Sequence, residues 1–140
     1  MRDEAWRQFH GAKLMLFAGD QLIVLRRDHT PGIAWPGRLD FPGGGREGAE
    51  TPIDCVIRET QEELGLLLRQ DDLVEVHLRK SASGNGWYYA AHLPHGAIAQ
   101  VQFGGEGAGW LTMAPSEYVS DPDAIPHFAE ILSTYLAGRA

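Results

Sequence analysis

The sequence has very little cysteine, few basic residues and no long hydrophobic run. Its single cysteine, Cys55, excludes an internal disulfide and a zinc cluster built from thiolates. No stretch of eighteen apolar residues is present, so we expect no membrane span. The charged start, Met1-Arg2-Asp3-Glu4, is not followed by the apolar segment of a signal peptide. We therefore expect a cytoplasmic protein that has no membrane partner.

The charge balance is acidic. The chain has 12 Lys and Arg against 19 Asp and Glu, for a net charge of −7. Proteins that bind nucleic-acid polymers usually carry basic patches, so we expect no such partner. A phosphorylated small molecule remains compatible, because divalent cations bound at an acidic site reverse the local field. With 140 residues and 44% apolar content, residues 1–140 are predicted to form a single domain.

Residues 52–64 are predicted to form an α-helix. Thr51 suits the N-cap, Pro52 suits the first helical position, and Asp54 places negative charge in the first turn. Gly65 stands where a left-handed C-cap is expected. The sequence therefore marks both ends of this helix.

The predicted helix has one apolar face and one carboxylate face. At about 100° per residue, the first face collects Ile53, Val56, Ile57, Thr60 and Leu64, and the second collects Glu59, Glu62 and Glu63. A solvated face would normally include lysines at i,i+4, yet Arg58 is the only cation between residues 47 and 68. Clustered carboxylate oxygens suit hard cations, so we predict a site for Mg²⁺ or Mn²⁺.

The same residues resemble the signature box of the Nudix hydrolases. Gly44, then Glu50 after five residues, then the run Arg58 to Leu66 after seven more fill the seven characteristic positions. Outside the box, the resemblance extends to Leu22–Arg27 as a strand, Asp40–Gly43 as the approach to the box, and Glu106–Trp110 as a later acidic loop. The chain departs from the family pattern at Thr60, Ala49 and Leu39. For Thr60 we expect the methyl group to pack and the hydroxyl to bond the backbone.

The resemblance implies a fold and a set of site residues. The fold is an α/β Nudix-type α/β/α sandwich with a mixed β-sheet. The implied metal ligands are Glu59, Glu62, Glu63, Glu106 and the carbonyl oxygen of Gly44. Arg58 is expected to pair with Glu50 and orient the carboxylates. The general base stays open between Glu59, Glu63 and Glu106, with Glu47 less favoured.

The implied reaction is attack by a metal-polarised water on one phosphorus of a pyrophosphate linkage. The favoured substrate is a nucleoside triphosphate, as for MutT-like pyrophosphohydrolases. The ADP-ribose and dinucleoside-polyphosphate branches are marked by a proline or tyrosine at a set distance after the box, whereas the first proline after the box in this chain is Pro94. The alternatives are an ADP-ribose or nucleotide-sugar pyrophosphatase, or a non-catalytic nucleotide-binding module. The oligomeric state stays open, with a homodimer among the options.

The rest of the chain is predicted to contain several strands and a terminal helix. The predicted strands are Ala12–Phe17, Leu22–Arg27, Leu73–Leu78, Gly86–Leu93 and Ile98–Phe103, with turns at Ala18–Gln21 and Ser83–Gly86, and a helix carries Phe128 to Leu136.

Three groups outside the box have two interpretations each. The loop Asp28–Asp40, with Trp35, is either an ordinary connection or a flap over the substrate. The aromatic run Trp87–Tyr89 alternates along a strand, and core packing is favoured over a binding role. His92 and His95 do not have the spacing of metal ligands, so we expect them to be solvated loop residues and not part of a metal site.

Overall fold

A computed structural model of the protein describes residues 8–82 and 84–139. The start of the chain, Met1 to Glu4, and Ser83 of the second predicted turn lie outside these ranges. The strands are β1 (Phe9–Ala18), β2 (Gln21–Arg26), β3 (Leu39–Asp40), β4 (Gly43–Gly45), β5 (Leu73–Ser81), β6 (Gly84–Leu93) and β7 (Gly109–Met113). The helices are α1 (Pro52–Leu64), α2 (Pro115–Ser120) and α3 (Pro126–Ala137), with single 3-10 segments at Gln70–Asp72 and His95–Gln100.

The strands form one mixed seven-stranded sheet. Its main path runs β3-β2-β1-β6-β5, while β4 pairs with β1 and β7 pairs with β2. The pairing of β1 with β6 is parallel, and the pairings of β2, β4, β5 and β7 with their neighbours are antiparallel. The predicted hairpin between β1 and β2 is confirmed, with Ala18 opposite Gln21.

A fork between β1 and β2 positions the glycine-rich approach to α1. The two strands pair only from Leu16 to Ala18 and from Gln21 to Ile23. Beyond that point, β3 pairs with the far end of β2 and β4 pairs with the start of β1. The segment from residue 39 to residue 45 therefore fills the fork, and the chain leaves it directly toward α1.

Helices cover both faces of the sheet, which confirms the predicted α/β/α sandwich. On one face, Val56 and Leu64 of α1 pack in a core cluster with Leu14, Leu16 and Tyr89. On the other face, α2 and α3 contribute a second cluster that includes Tyr118, Phe128 and Leu132. Among the described residues, no helix is both long enough and apolar enough to cross a membrane.

Helix α1 has the predicted ends. The Thr51 hydroxyl oxygen accepts a hydrogen bond from the Asp54 N–H at 3.2 Å. Gly65 adopts φ 68°, and its N–H donates to the Gln61 carbonyl at 2.9 Å. Cys55 of this helix is fully buried, with its Sγ 3.5 Å from Gly44 O in the glycine-rich segment. Local signals were sufficient here because capping involves only neighbouring residues.

The predicted strand Ile98–Phe103 is wrong. The segment His95–Gln100 forms a 3-10 helix, in which the Ala97 N–H donates to Pro94 O and the Val101 N–H donates to Ile98 O. Ile98, Val101 and Phe103 still pack against the core beneath α1, so their apolar character reflects burial and not strand pairing. The strand lies further on, at β7, which begins inside the segment predicted to be the acidic loop.

The aromatic run of β6 packs in the core, as predicted. Trp87 and Tyr89 belong to the cluster beneath α1, and Tyr88 belongs to the cluster on the other face. The prediction for His92 is wrong in part, because this residue lies within β6. Its ring is exposed to solvent, but it stacks on Phe17 with centroids 4.4 Å apart and shares a 2.7 Å hydrogen bond with Tyr135 Oη.

Candidate active site

Arg58 is the central cation of the site. Its Nε and Nη2 contact the two carboxylate oxygens of Glu50 at 2.7 and 3.0 Å, and Nη2 also donates to Gly45 O at 2.9 Å. Such a two-pronged pair fixes both position and orientation. The pair lowers the pKa of Glu50 below its usual value, although burial acts in the opposite direction. The structure therefore has the Arg58–Glu50 pair that the resemblance implies.

The same guanidinium contacts three further carboxylates, two on α1 and one in the loop before it. Arg58 Nη1 lies 2.9 Å from Glu59 Oε1, and 3.2 Å from Glu62 Oε2 and from Glu47 Oε2. The hydrogen bonds that Arg58 donates, first to Glu50 and then to Glu59 and Glu62, raise its pKa, so it stays charged. One positive charge faces four carboxylates, so the group keeps a negative excess that additional cations can neutralise.

Glu63 lies apart from this group, on the side of α1 that faces the fork. Its Oε1 accepts a hydrogen bond from the Gly43 N–H at 2.8 Å. Burial raises its pKa to about 7, while the Gly43 N–H and the charge of Lys13 act in the opposite direction. Glu63 is thus a carboxyl that can hold or release a proton near neutral pH.

The ladder between β1 and β4 decides where the glycine carbonyls point. The Leu14 N–H donates to Pro42 O, and the Arg46 N–H donates to His10 O. Because bonded and non-bonded pairs alternate along an antiparallel ladder, the Ala12–Gly44 pair is a bonded one. The carbonyl of Gly44 therefore points toward β1.

Gly43 belongs to a non-bonded pair, so its peptide groups point away from β1. Its N–H donates to Glu63, and its carbonyl accepts from Lys13 Nζ at 3.2 Å. Gly44 has a separate role, because a Cβ there would lie 2.5 Å from Glu59 Oε2. The missing side chain lets the Glu59 carboxylate approach the backbone of β4.

A cavity of about 400 Å³, which we call the carboxylate cavity, brings most of the predicted site residues together. Its acidic lining residues are Asp28, Asp40, Glu59, Glu63 and Glu106, and its basic ones are Lys13, Arg26 and Arg27. Gly44 also lines it, whereas Glu62 does not. The Glu62 side chain is 56% exposed and turned toward Arg58.

The residues of the carboxylate cavity suit a magnesium-like ion. Within residues 8–82 and 84–139, no three His, Cys, Asp or Glu side chains are close enough together to form a ready metal cluster. However, Glu59 and Glu63 approach the Gly43–Gly44 backbone from the same helix, and Glu106 lines the same cavity. All these donors are oxygens, the set that Mg²⁺ and Mn²⁺ prefer.

Sequence reasoning missed Lys13 in the cationic wall of this cavity, which Lys13 and Arg27 form beside Asp40. Lys13 Nζ lies 3.1 Å from Asp40 Oδ1, and Arg27 Nη1 lies 3.0 Å from Asp40 Oδ2. The Asp40 side chain is 8% exposed, so the two cations hold a buried carboxylate. The available signal was Lys13 itself, a lone charge within an otherwise apolar strand. Arg38 does not line this cavity and instead donates to the carbonyl of Pro122.

One predicted detail of α1 is wrong. The Thr60 side chain is fully buried, but its Oγ1 has no hydrogen-bond partner among the described residues. The hydroxyl therefore does not bond the backbone as expected. Packing of α1 against β1 and β4 holds the residue in place despite this cost.

The loop that carries Glu106 is tied to the end of α1. The Gln102 N–H donates to Leu64 O at 2.8 Å, and the Gly104 N–H donates to Glu63 O at 2.9 Å. At the other end, the Ala108 N–H donates to Arg26 O at 2.9 Å. These bonds satisfy carbonyls that a helix end leaves unpaired and bring Glu106 to the cavity.

Comparisons with known proteins agree with this geometry. The model of the NUDIX domain matches residues 9–130. The chain belongs to the Nudix family. It is therefore a hydrolase that acts on phosphorus-containing anhydrides, and its family supports pyrophosphate hydrolysis in general.

Solved structures show the same fold at low sequence identity. The MutT protein from Methanosarcina mazei Go1 superposes with a TM-score of 0.72 at 15% identity, covering 94% of this chain and 96% of the other. The E. coli ORF135 protein gives a TM-score of 0.67 at 23% identity, covering 93% and 89%. A MutT/nudix family protein from Enterococcus faecalis gives a TM-score of 0.60 at 20% identity. This match covers 74% of this chain but only 42% of the other protein. No protein with a curated description matches by sequence.

We predict that Gly104→Ala destabilises this Nudix protein by about 1–3 kcal/mol, the range for overpacking. A Cβ at Gly104 would lie 2.1 Å from the Glu62 carbonyl oxygen, so the loop must move off α1. Urea unfolding measures the loss. Gly96→Ala is the matched control, because a Cβ there meets nothing within 4 Å. Equal stability of the two variants would contradict the tie between the loop and the helix.

We also predict that Glu63 makes the metal-free protein less stable as the pH rises. Its pKa is about 7 in the fold against 4.5 when unperturbed, so the folded state holds a proton that the unfolded state has lost between these values. Stability from this group therefore falls from about pH 4.5 to about pH 7, by up to about 3 kcal/mol.

Glu63→Gln should remove that fall. With EDTA present, the unfolding free energy of the variant relative to wild type should increase between about pH 4 and about pH 8. Glu106→Gln is the control, because this carboxylate stays exposed to solvent in the folded protein. A Glu63→Gln difference that is the same at both pH values would rule out the buried carboxyl as its cause.

Proposed function

We propose that this protein hydrolyses nucleoside 5′-triphosphates to the nucleoside monophosphate and pyrophosphate, with Mg²⁺ or Mn²⁺ as cofactor. The observation that carries the proposal is the presence of both carboxylates and cations in the lining of the carboxylate cavity. Glu59 and Glu63 of α1 line it together with Lys13 and Arg27. A chain of phosphates fits such a cavity, because its oxygens need cations, which the basic side chains and the bound metal would supply.

The proposed metal ligands are the carboxylates of Glu59, Glu62, Glu63 and Glu106 together with one backbone carbonyl. We replace the Gly44 carbonyl with that of Gly43, because the Gly44 carbonyl points toward β1 and the Gly43 carbonyl points to the Lys13 side of the cavity. When bound, the metal would supply a more acidic water and neutralise charge on the phosphate oxygens.

The protein's own residues have distinct proposed roles. Arg58 holds Glu59 and Glu62 in place through its contacts with Glu50 and Gly45. Lys13 and Arg27 bind phosphate oxygens. We favour Glu63 as the general base over Glu59 and Glu106, because Glu59 is engaged by Arg58 and Glu106 lies on the exposed loop, whereas Glu63 lines the carboxylate cavity apart from Arg58.

A substrate screen tests the proposal. Purified protein is incubated with nucleoside triphosphates, ADP-ribose and nucleotide sugars, each with Mg²⁺, with Mn²⁺ and with EDTA. We expect pyrophosphate and a monophosphate from the triphosphates in the presence of either metal. Preferential cleavage of ADP-ribose or nucleotide sugars would replace the substrate proposal with a related pyrophosphatase. Binding without hydrolysis, or no magnesium uptake in calorimetry, would overturn the proposed catalysis.

We predict that Glu62→Gln lowers turnover by at least about 10²-fold, as expected when charge stabilisation in the transition state is lost. The side chain is 56% exposed, so the fold should be unaffected. Turnover is measured with saturating metal, and circular dichroism checks the fold. Glu130→Gln is the matched control, because Glu130 is an exposed helix glutamate outside the carboxylate cavity. Wild-type turnover in Glu62→Gln would remove Glu62 from the site.

A further inference from the structure

Asp40 is a negative group within a cavity proposed to hold phosphate. Its carboxylate lines the carboxylate cavity beside Glu59 and Glu63, and its side chain is only 8% exposed. Burying a carboxylate is costly unless cations and hydrogen bonds compensate for the lost water. The partners of Asp40 therefore indicate what this group does in the site.

Two cations converge on the Asp40 carboxylate. Lys13 Nζ donates to Oδ2 at 3.2 Å and lies 3.1 Å from Oδ1, and Arg27 Nη1 donates to Oδ2 at 3.0 Å. The Lys13 and Arg27 side chains are 21% and 30% exposed, so both are more open to solvent than Asp40. The cations, more than the carboxylate, are thus available to a ligand in the cavity.

The backbone around Asp40 is fixed on two sides. Asp40 belongs to β3, where it is opposite Leu25 of β2. The Leu39 N–H donates to Asp123 O, and the buried hydroxyl of Tyr118 in α2 donates to Leu39 O, both at 2.9 Å. Lysine and arginine, in contrast, have long side chains with many rotamers. Asp40 is therefore the fixed member of the group, and it orders its two partners.

The other contacts of the two cations leave donors for a ligand. Arg27 Nε donates to Ala34 O at 2.8 Å, while its Nη2 group has no hydrogen bond among the described residues. Lys13 Nζ also donates to Gly43 O at 3.2 Å and to Phe41 O at 3.4 Å. The ammonium is thus held from several sides, and Arg27 keeps two unused N–H groups.

We infer that Asp40 is a positioning residue, which holds Lys13 and Arg27 where they meet the phosphate oxygens of the substrate. The inference rests on the proposed function, in which these two cations bind phosphate. Positioning and charge predict opposite effects of removing the carboxylate. Loss of a negative charge alone favours an anionic ligand, whereas loss of order in the two cations disfavours it.

Equilibrium binding tests the role without catalysis. The ligand is a nucleoside triphosphate analogue with methylene bridges in place of both anhydride oxygens, titrated calorimetrically with Mg²⁺ present. We expect Asp40→Asn to weaken binding about tenfold, because two long side chains must then be ordered when the ligand binds. Unchanged or tighter binding would overturn the inference.

A double-mutant cycle separates positioning from a general structural role. In a Lys13→Met/Arg27→Met background the carboxylate has no cation to hold, so Asp40→Asn should cause no further loss of affinity. An equal loss in both backgrounds would mean that Asp40 acts through the fold or touches the ligand itself, and the positioning role would be wrong.

Asp71→Asn is the matched control, because it removes the same charge from an exposed residue outside the carboxylate cavity. Its affinity should equal that of wild type, and circular dichroism checks the fold of each variant. If Asp40→Asn does not fold, Arg27→Lys takes its place. Lysine keeps the charge but lacks the planar fork that contacts both Asp40 and Ala34. Wild-type affinity in Arg27→Lys would then contradict the role.

The same measurements distinguish this role from the proposed function. If Lys13→Met/Arg27→Met weakens binding of the analogue but Asp40→Asn does not, the positioning role fails alone. If Asp40→Asn weakens binding as expected but the wild-type protein cleaves no nucleoside triphosphate, the proposed function fails alone.

Discussion

The site depends on one arginine that holds several carboxylates on one face of a helix. Unpaired, these acidic groups would repel one another and loosen the end of α1. Arg58 prevents this by binding Glu50 with two contacts and bridging to Glu59 and Glu62. Its contact with Gly45 O also fixes the helix against β4. The charge that it leaves uncompensated is what makes the face suitable for further cations.

The fork between β1 and β2 supplies the second half of the site. Because β4 pairs with β1 through alternate residues, Gly44 faces the ladder and Gly43 faces the cavity. Glu63 is held by the Gly43 N–H, and the Gly43 carbonyl is held by Lys13. Helix, fork and cationic wall are thus connected through the two peptide groups of a single glycine. A displacement of β4 would move all three together.

The sequence predicted the parts of the molecule that depend on near neighbours. The caps of α1 and the separation of its two faces follow from Thr51, Gly65 and a fixed angle per residue. The burial of Glu63 and the direction of the Gly44 carbonyl depend on the pairing of β1 with β4. Paired residues such as Lys13 and Gly43 are about thirty positions apart in the sequence, and no local pattern encodes their register. For the same reason, apolar content alone placed a strand at 98–103, where a 3-10 helix packs against the core.

Asp40 is a buried carboxylate that lies between Lys13 and Arg27 in the lining of the carboxylate cavity. It is a carboxylate in a cavity proposed to bind phosphate, and alone it would repel that ligand. Its two cationic partners remove the conflict, since Lys13 and Arg27 both contact it and both line the carboxylate cavity. Holding the cations this way costs them little mobility on binding, because they are ordered before the ligand arrives. Arg27 also donates to the carbonyl of Ala34, so the order that Asp40 imposes on the cations extends to the loop before β3.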